Sequence, residues 1–345
     1  MVGKCLKLCL NTHKNIVRYK QTHNTFRDFN KFFIIDNNDA VLKTLSRLNR
    51  ARGTKSINSF DFKNLYTCIP HDKLKENIRK FVTKVFKDKS KMYICVTDRS
   101  AYFSDNKVLL GTSFSCENLV SAICTVVDSS YISSNAKTYR QKIGIPMGTS
   151  CGPHLANVFL HIYEYEYIDT LIDSKQHDKC MKLKEIFRFQ DDCLVLNDNN
   201  LFTEIYKDFY PSELTLKNTN TSSSKTNYLD LTISIYQGRF RYISYDKRRS
   251  YNFDVINYPD LNGNVPIKAS YGVFISELRR FCINNSVFKS FKFEVKNMIY
   301  KLINQGYSRR VLLNYFKVFC ERYINLWSRY GVDITERKVM KTFFN

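Results

Sequence analysis

FRFQDDCLVL, residues 187–196, is the most informative stretch of this chain. Strand-like apolar runs flank Asp191 and Asp192, and this pattern predicts a β-hairpin with the aspartate pair at its tip. Alone, the pair indicates only a turn, because aspartate suits turns. A second stretch, SFDFKNLYT at residues 59–67, ends another apolar run with Asp61. If the two stretches meet in space, their carboxylates could hold divalent cations over a phosphate.

A third stretch, GIPMGTSCGP at residues 144–153, has the Gly and Pro pattern of a turn that opens into an apolar helix. Its small residues would let a nucleotide or base pair approach the main chain closely. By itself the stretch is also compatible with an ordinary loop before a helix. The order and spacing of the three stretches favour a nucleotidyl-transfer site over three unrelated features.

These residues carry a family resemblance. FDFKNLYT resembles motif A of reverse transcriptases, GIPMGTSCGPHLANVFL resembles their motif B, and FQDD stands where their Y-x-D-D box stands. The chain further resembles the reverse transcriptases of Penelope-like retroelements and their relatives in YPSELTLKNTN, NYLDLTISI, YDKRRSYNFDVINYP, SYGVFISELRRF and LINQGYSRRVL. The resemblance covers residues from about 33 to the end, with every landmark in order. It implies an RNA-directed DNA polymerase, a nucleotidyltransferase that extends a DNA primer on an RNA template with dNTPs.

The resemblance also implies which residues act. Asp61, Asp191 and Asp192 would bind two Mg²⁺ (or Mn²⁺) ions, with the main-chain carbonyl of Phe62 completing the coordination shell of one ion. Of the two aspartates in the box, Asp191 is the stronger candidate for a metal ligand. For a shared ion we expect the carboxylates of Asp61 and Asp191 to lie within about 5 Å. Lys217 is the candidate general acid for the leaving pyrophosphate, with Lys225 as its competitor. An exposed lysine at a strand end is the alternative for both.

Nucleotide contacts follow from the same motifs. Tyr66 stands where reverse transcriptases carry an aromatic ring that blocks a ribose 2′-hydroxyl, and a rigid ring would favour dNTPs over rNTPs by steric clash. A core tyrosine is the alternative. In motif B, Met147, Gly148 and Pro153 would shape the turn against the nascent base pair.

Two departures from the family pattern bear on function. The box has Phe189 in place of tyrosine and Gln190 in place of a small or aliphatic residue. Relatives also carry a fingers segment ahead of motif A, and Lys14, Arg18, Lys20 and Arg27 do not reproduce its basic motif. We therefore expect a truncated fingers region, with any endonuclease or missing fingers segment supplied separately.

Two other function classes stay open. A polymerase-inactive, nucleic-acid-binding remnant of such an enzyme is the main alternative, and the presence of all three aspartates argues against it. An RNA-templated RNA polymerase or a template-independent transferase with the same palm is opposed by Tyr66.

Charge points to a polyanionic partner. The 345 residues include 54 Lys and Arg against 32 Asp and Glu, a formal net charge of +22. Residues 268–345 contain 15 basic and 5 acidic residues, so the C-terminal region is expected to grip a duplex. Candidate contacts there are Arg279, Arg280, Arg309 and Arg310; a solvated basic face without a ligand is the alternative.

Composition limits the protein class. Hydrophobic residues make up 43% and aromatic residues 14%, enough for a substantial core. Eleven cysteines without a C-x-x-C pair indicate a reducing compartment and buried thiols, not a zinc module. No apolar run reaches the roughly 18–20 residues that a membrane span needs. We expect an intracellular protein, nuclear or cytoplasmic.

Periodicity predicts helices at residues 39–50, 71–88, 117–132 and 154–172, and mainly helix from 271 onward. It predicts strands at 56–62, 138–143, 213–216, 228–235 and 238–245, besides a hairpin at 185–197. This order predicts an α+β fold with an antiparallel sheet that has helices on one face. A right-hand polymerase palm requires that arrangement, and the resemblance implies a mostly helical, basic thumb after it. The expected domains are a leading segment or fingers remnant (1–55), the palm (56–259) and the thumb-like region (260–345).

Overall fold

The computed structural model describes residues 1–23, 29–253 and 255–344, so Arg27 lies outside the described residues. The chain forms two compact units. The first comprises Met1–Leu45 and Ser56–Thr219, and the second comprises Ser46–Lys55 and Asn220–Asn345. The expected division into leading segment, palm and thumb-like region, with boundaries at residues 55/56 and 259/260, stays a prediction.

The first unit opens with two helices, α1 (Val2–His23) and α2 (Asp39–Arg50), the second of which continues into the other unit. The elements that follow are β1 (Ile57–Lys63), α3 (Leu65–Cys68), α4 (His71–Lys89), β2 (Tyr93–Val96), β3 (Ala101–Ser104), β4 (Thr112–Phe114), α5 (Cys116–Asp128), β5 (Tyr131–Ser134) and β6 (Lys137–Arg140). The unit ends with α6 (Gly152–Asp173), α7 (His177–Lys182), β7 (Ile186–Phe189), β8 (Asp192–Leu196), α8 (Leu201–Phe209) and β9 (Thr215–Asn218).

A four-stranded sheet with the order β7-β8-β1-β9 forms the centre of this unit. All of its neighbouring pairs are antiparallel. The alternation of side chains along β1 buries Phe60 and Phe62 in the core. The short sheet β3-β2-β4 and the hairpin β5-β6 lie outside this central sheet.

The helices of the first unit bury their apolar stripes in the same core. In α4, the buried side chains Leu74, Ile78, Phe81 and Val85 recur at helical spacing. The N-terminus of α5 is capped by Ser115, whose side chain accepts a hydrogen bond from the Asn118 main-chain N–H at 3.2 Å. These helices thus follow from local sequence as well as from packing.

The second unit begins with a three-stranded antiparallel sheet of β10 (Lys225–Tyr228), β11 (Leu231–Tyr236) and β12 (Arg239–Ser244). A 3₁₀ turn (Lys247–Ser250) and the helices α9 (Ile267–Asn284), α10 (Phe288–Asn304) and α11 (Arg309–Arg322) follow. The C-terminal elements are α12 (Ile324–Trp327), a 3₁₀ turn (Ser328–Tyr330) and α13 (Arg337–Phe344). Phe274, Phe291, Phe316 and Phe319 are fully buried in the separate core of this unit.

Most predicted elements are confirmed, some with shifted ends. The helix predicted at 117–132 was too long: α5 stops at Asp128, and Tyr131 already belongs to the exposed hairpin β5-β6. The strand predicted at 228–235 is instead split by a turn at Leu229, whose φ of 52° breaks extended backbone, so that β10 and β11 pair. The strands predicted at 138–143 and 213–216 lie at Lys137–Arg140 and Thr215–Asn218.

Helix α1 was not predicted. It packs Cys5, Leu6, Cys9 and Leu10 into the core of the first unit. The eleven cysteines are free thiols, and eight of them are buried. Within the described ranges, no helix combines the length and apolar character required to cross a bilayer.

Candidate functional site

Strand β1 places Asp61 between two other candidate residues. In the register of the sheet, Asp61 lies opposite Asp192 on β8 and opposite Lys217 on β9. Directly opposite residues of an antiparallel pair project to the same face, with Cβ atoms about 4.5–5.5 Å apart. Two carboxylates and one ammonium group therefore share one face at the end of β1.

The turn between β7 and β8 brings in Asp191. Phe189 and Asp192 are paired across the hairpin, which leaves Gln190 and Asp191 as its two turn residues. The hairpin is as predicted, but its tip holds only the first aspartate of the pair, because Asp192 already belongs to β8. Gln190 has a φ of 55°, a left-handed conformation that residues other than glycine seldom adopt. The Asp191 carbonyl accepts a hydrogen bond from the Phe62 main-chain N–H at 3.2 Å. The turn is thus tied to β1 at the residue after Asp61.

Electrostatics couple these carboxylates. Burial raises the pKa of Asp61 above its ordinary value, the negative charge of Asp191 raises it further, and the Lys217 ammonium group partly offsets both. The repulsion means that Asp61 and Asp191 lie close enough to influence each other's charge. A bound cation would relieve this repulsion.

The oxygen donors suit a hard divalent cation in type. Within the described parts of the chain, however, no three His, Cys, Asp or Glu side chains are clustered tightly enough to hold a metal ion by themselves. Mg²⁺ is ordinarily bound through one or two protein carboxylates, with substrate phosphates and water completing six ligands. The pair Asp61 and Asp191 fits that mode of binding.

Tyr66 lies beside this carboxylate face. It is half-buried in α3, and its hydroxyl donates a hydrogen bond to Gln190 Oε1 at 3.4 Å. Burial raises the pKa of Tyr66, and Asp191 raises it further. The ring predicted to select the sugar is therefore close to the turn that carries Asp191, and it also packs against the core of the unit.

The first residues of the 144–153 stretch are hydrogen-bonded to the main chain around Tyr66. The Ile145 N–H donates to the Tyr66 carbonyl at 2.6 Å, and the Gly144 N–H donates to the Ile69 carbonyl at 2.7 Å. Gly144 has a φ of 89°, and a Cβ atom at this position would lie 2.4 Å from the Tyr66 carbonyl oxygen. Only glycine fits here, because both the backbone conformation and the close approach exclude a side chain.

The other motif B residues surround two clefts. Gly148, with a φ of 90°, lies on an exposed turn with Met147. Met147 lines a cleft of about 710 Å³ together with Thr67. Pro153, in the first turn of α6, lines another cleft of about 200 Å³ together with Gln190. The structure thus places the candidate nucleotide-binding residues in the same unit as the carboxylates.

The remaining candidate residues lie in the second unit. Lys225 is in β10, whereas Lys217 is opposite Asp61 in the first unit. Arg309 and Arg310 are exposed at the start of α11. Arg279 on α9 lies over the Tyr323 ring at 5.9 Å.

Arg280 differs from the other three candidate arginines. It is half-buried and forms ion pairs with Glu277 at 2.6 Å and with Asp230 at 3.7 Å. These two carboxylates therefore largely neutralise its charge.

Sequence reasoning missed a buried polar network behind the turn. Arg188 is fully buried in β7, and its Nε donates to Glu164 Oε1 at 2.5 Å. Glu164 also accepts a hydrogen bond from the Tyr210 hydroxyl at 2.7 Å. The signal in the sequence was an arginine inside the otherwise apolar strand IFRF, since a charge there needs a buried partner.

Comparison with known proteins supports the fold through structure alone. No protein-family model matches the chain, and no curated protein matches it. Among solved structures, the telomerase of Candida albicans, in complex with a TWJ fragment of telomeric RNA, superposes with a TM-score of 0.61 at 10% identity, over 99% of this chain and 55% of that one. Apo telomerase from Candida tropicalis gives a TM-score of 0.49 at 15% identity, over 95% of this chain and 54% of that one.

The fold is therefore that of a polymerase with an antiparallel palm and a helical thumb, which confirms the predicted fold class. More particularly, it is a reverse-transcriptase-like fold. The chain spans about half the length of the telomerase chains it matches.

Proposed function

We propose that this chain is an RNA-directed DNA polymerase of a retroelement, of the Penelope-like type, which adds deoxynucleotides to a primer 3′-hydroxyl. The main support is the arrangement at the end of β1, where Asp61 faces Asp192 and Lys217 and is coupled to Asp191. The motif order and the reverse-transcriptase-like fold support the same function.

In this proposal Asp61 and Asp191 are the principal ligands of two Mg²⁺ or Mn²⁺ ions, assisted by Asp192 and the Phe62 carbonyl. When bound, such ions would supply charge neutralisation for the triphosphate and a lower pKa for the primer hydroxyl. Lys217, opposite Asp61, donates a proton to the pyrophosphate as it leaves. Tyr66 excludes the ribose 2′-hydroxyl, and the motif B turn with Met147 and Gly148 contacts the incoming base pair.

An RNA template and a DNA primer are the proposed partners. The net charge of +22 supports a nucleic-acid partner, and the matching Candida albicans telomerase was solved with RNA. Residues 56–259 would serve as the palm and 260–345 as the thumb, inside the nucleus or cytoplasm. A separate endonuclease or fingers-bearing segment would complete the element.

Primer extension tests the proposal. The purified chain should extend a DNA primer on an RNA template with dNTPs and Mg²⁺ or Mn²⁺, and Asp61→Asn or Asp191→Asn should abolish extension. Asp173→Asn, an exposed carboxylate at the end of α6, is the matched control and should keep full activity. Tight duplex binding without extension under either ion would favour the polymerase-inactive, nucleic-acid-binding remnant instead.

A further inference from the structure

A buried ion pair, Arg188 and Glu164, lies behind the turn that carries Asp191. The Arg188 guanidinium donates to both carboxylate oxygens of Glu164, at 2.5 Å from Nε and 3.1 Å from Nη2, and both side chains are at most 1% exposed. Burial alone would lower the pKa of Arg188, but the Glu164 carboxylate outweighs it and the pKa is raised. A buried ion pair contributes little net stability compared with well-packed apolar residues. Net stability alone therefore does not account for the pair.

The remaining donors of Arg188 point to a role at the turn. Nη1 donates to the main-chain carbonyl of Gln190 at 3.0 Å and to Asn157 Oδ1 at 2.8 Å. Gln190 is the left-handed residue of the turn and directly precedes Asp191. An L-residue in this conformation is disfavoured, so a contact that holds Gln190 in it offsets part of that cost. A planar guanidinium can bind Glu164 and Gln190 at the same time, which an ammonium group cannot do in the same geometry.

Further contacts hold the guanidinium and its partner Glu164 in place. The Tyr210 hydroxyl donates to Glu164 Oε1 at 2.7 Å, and Asn157 belongs to α6, the same helix as Glu164. Burial and the Glu164 charge raise the pKa of Tyr210 well above its ordinary value, so its hydroxyl remains a donor. The network thus runs from α6 and Tyr210 through Arg188 to the main chain beside Asp191.

We propose that Arg188 is a positioning residue, whose guanidinium, held by Glu164, Tyr210 and Asn157, fixes the Gln190 main chain so that Asp191 faces the metal-binding position next to Asp61. This inference rests on the metal site of the proposed function. It assigns no contact between Arg188 and substrate. Arg188 acts only through the conformation of the turn.

Direct metal binding provides the test. Mn²⁺ affinity of the full chain, without nucleic acid, is measured by electron paramagnetic resonance for the native protein and for Arg188→Met/Glu164→Met, in which neither charge remains without its partner. We expect the double variant to fold and to bind Mn²⁺ about 10–100-fold more weakly, the usual loss when a residue that orients a metal ligand is removed. Arg188→Lys should lose affinity in the same range, and Tyr210→Phe less, because it removes a single hydrogen bond.

A second ion pair, in which only the carboxylate is buried, serves as a control. Arg249 and Glu294 form this pair, in which both guanidinium amino groups contact the carboxylate. Arg249→Met/Glu294→Met should leave Mn²⁺ affinity unchanged. A purely structural role for Arg188 would lower the melting temperature and leave both Mn²⁺ affinity and the metal-activation curve of primer extension unaltered.

The outcomes separate this inference from the proposed function. Unchanged Mn²⁺ affinity in folded Arg188→Lys would overturn the positioning role even if the native chain extends primers. A native chain that binds Mn²⁺ through Asp191 but extends no primer would overturn the polymerase function. In that case the Mn²⁺ affinities of the Arg188 variants would still decide the positioning role. If the double variant does not fold, Arg188→Lys and Tyr210→Phe decide by the same measurement. Native Mn²⁺ binding that is insensitive to Asp191→Asn would overturn the inference.

Discussion

At the scale of single residues, Tyr66 carries the selectivity of the proposed site. Its hydroxyl contacts Gln190, but the proposed filter is the ring itself. We expect Tyr66→Ala to raise rNTP use relative to dNTP use by about tenfold or more, whereas Tyr66→Phe should keep the native ratio, because a steric filter needs only the ring. Competition assays on a fixed RNA template measure the ratio. Equal sugar discrimination in Tyr66→Ala and the native protein would assign Tyr66 to the core.

Gly144 carries the strongest steric constraint at the site. In Gly144→Ala the new methyl group meets the Tyr66 carbonyl at 2.4 Å in a left-handed backbone. We expect the free energy of unfolding to fall by about 2–4 kcal/mol, the sum of conformational strain and overpacking. Gly148→Ala is the control: its φ is 90°, but no atom lies within 4 Å of the new methyl group.

The control variant should lose only about 1–2 kcal/mol, because strain acts there without overpacking. Urea unfolding of both variants provides the comparison. Equal losses in the two variants would show that the close approach to Tyr66 is unimportant.

At the scale of elements, the packing of α1 against α6 creates a pH dependence. His13 of α1 is 2% exposed and lies 5.1 Å, centroid to centroid, from the fully buried His161 of α6. Burial, with a smaller contribution from the positive charge of Lys84, lowers the pKa of His13 to about 4. Burial also lowers the pKa of His161. Both rings are therefore neutral in the folded protein near pH 7.

Stability should accordingly decrease on acidification. Below pH 6.5 the unfolded chain binds a proton at His13 while the folded chain does not, so the free energy of unfolding falls with pH until about pH 4. The loss from His13 is on the order of 3 kcal/mol, since one pKa unit corresponds to about 1.4 kcal/mol. Urea unfolding at several pH values measures it. His13→Phe, which keeps an aromatic ring, should reduce the slope between pH 6.5 and 4; a native slope in that variant would contradict the assignment.

At the scale of the whole molecule, the net charge of +22 predicts salt-sensitive nucleic-acid binding. Reversing Arg279, Arg309 and Arg310 together should reduce the slope of log K against log salt by about 0.9 for every phosphate that these side chains no longer neutralise. Fluorescence anisotropy with a primer–template duplex measures this slope. An unchanged slope would show that this basic surface does not hold the duplex.

Arg280 serves as the internal control for that experiment. Because it is paired with Glu277 and Asp230, Arg280→Glu should lower the melting temperature and change the salt slope little. A large change in slope without loss of stability would show that Arg280 binds the nucleic acid, as the sequence predicts.

Local sequence determined much of this protein. The apolar periodicity of α4, the strand-like run that ends at Asp61 and the apolar runs on either side of the aspartate pair were sufficient to predict these elements, because each depends on neighbours a few residues away. The position of the turn was predicted one residue too late, since the turn residues are Gln190 and Asp191. The order of the predicted strands and helices, together with the resemblance to reverse transcriptases, likewise predicted the fold class. Helix α1 was missed because Cys5, Cys9 and His13 carry part of its buried face, and such residues weaken an apolar pattern.

Tertiary structure alone decided the pairing at the site. Asp61 precedes Asp192 by more than a hundred residues, and only the sheet register places them face to face with Lys217. The support beneath the turn was also invisible in sequence, because Glu164, Arg188 and Tyr210 belong to three separate segments that meet only in the folded core. Contacts over such distances depend on how whole elements pack, whereas sequence periodicity reports only the local backbone and its buried face.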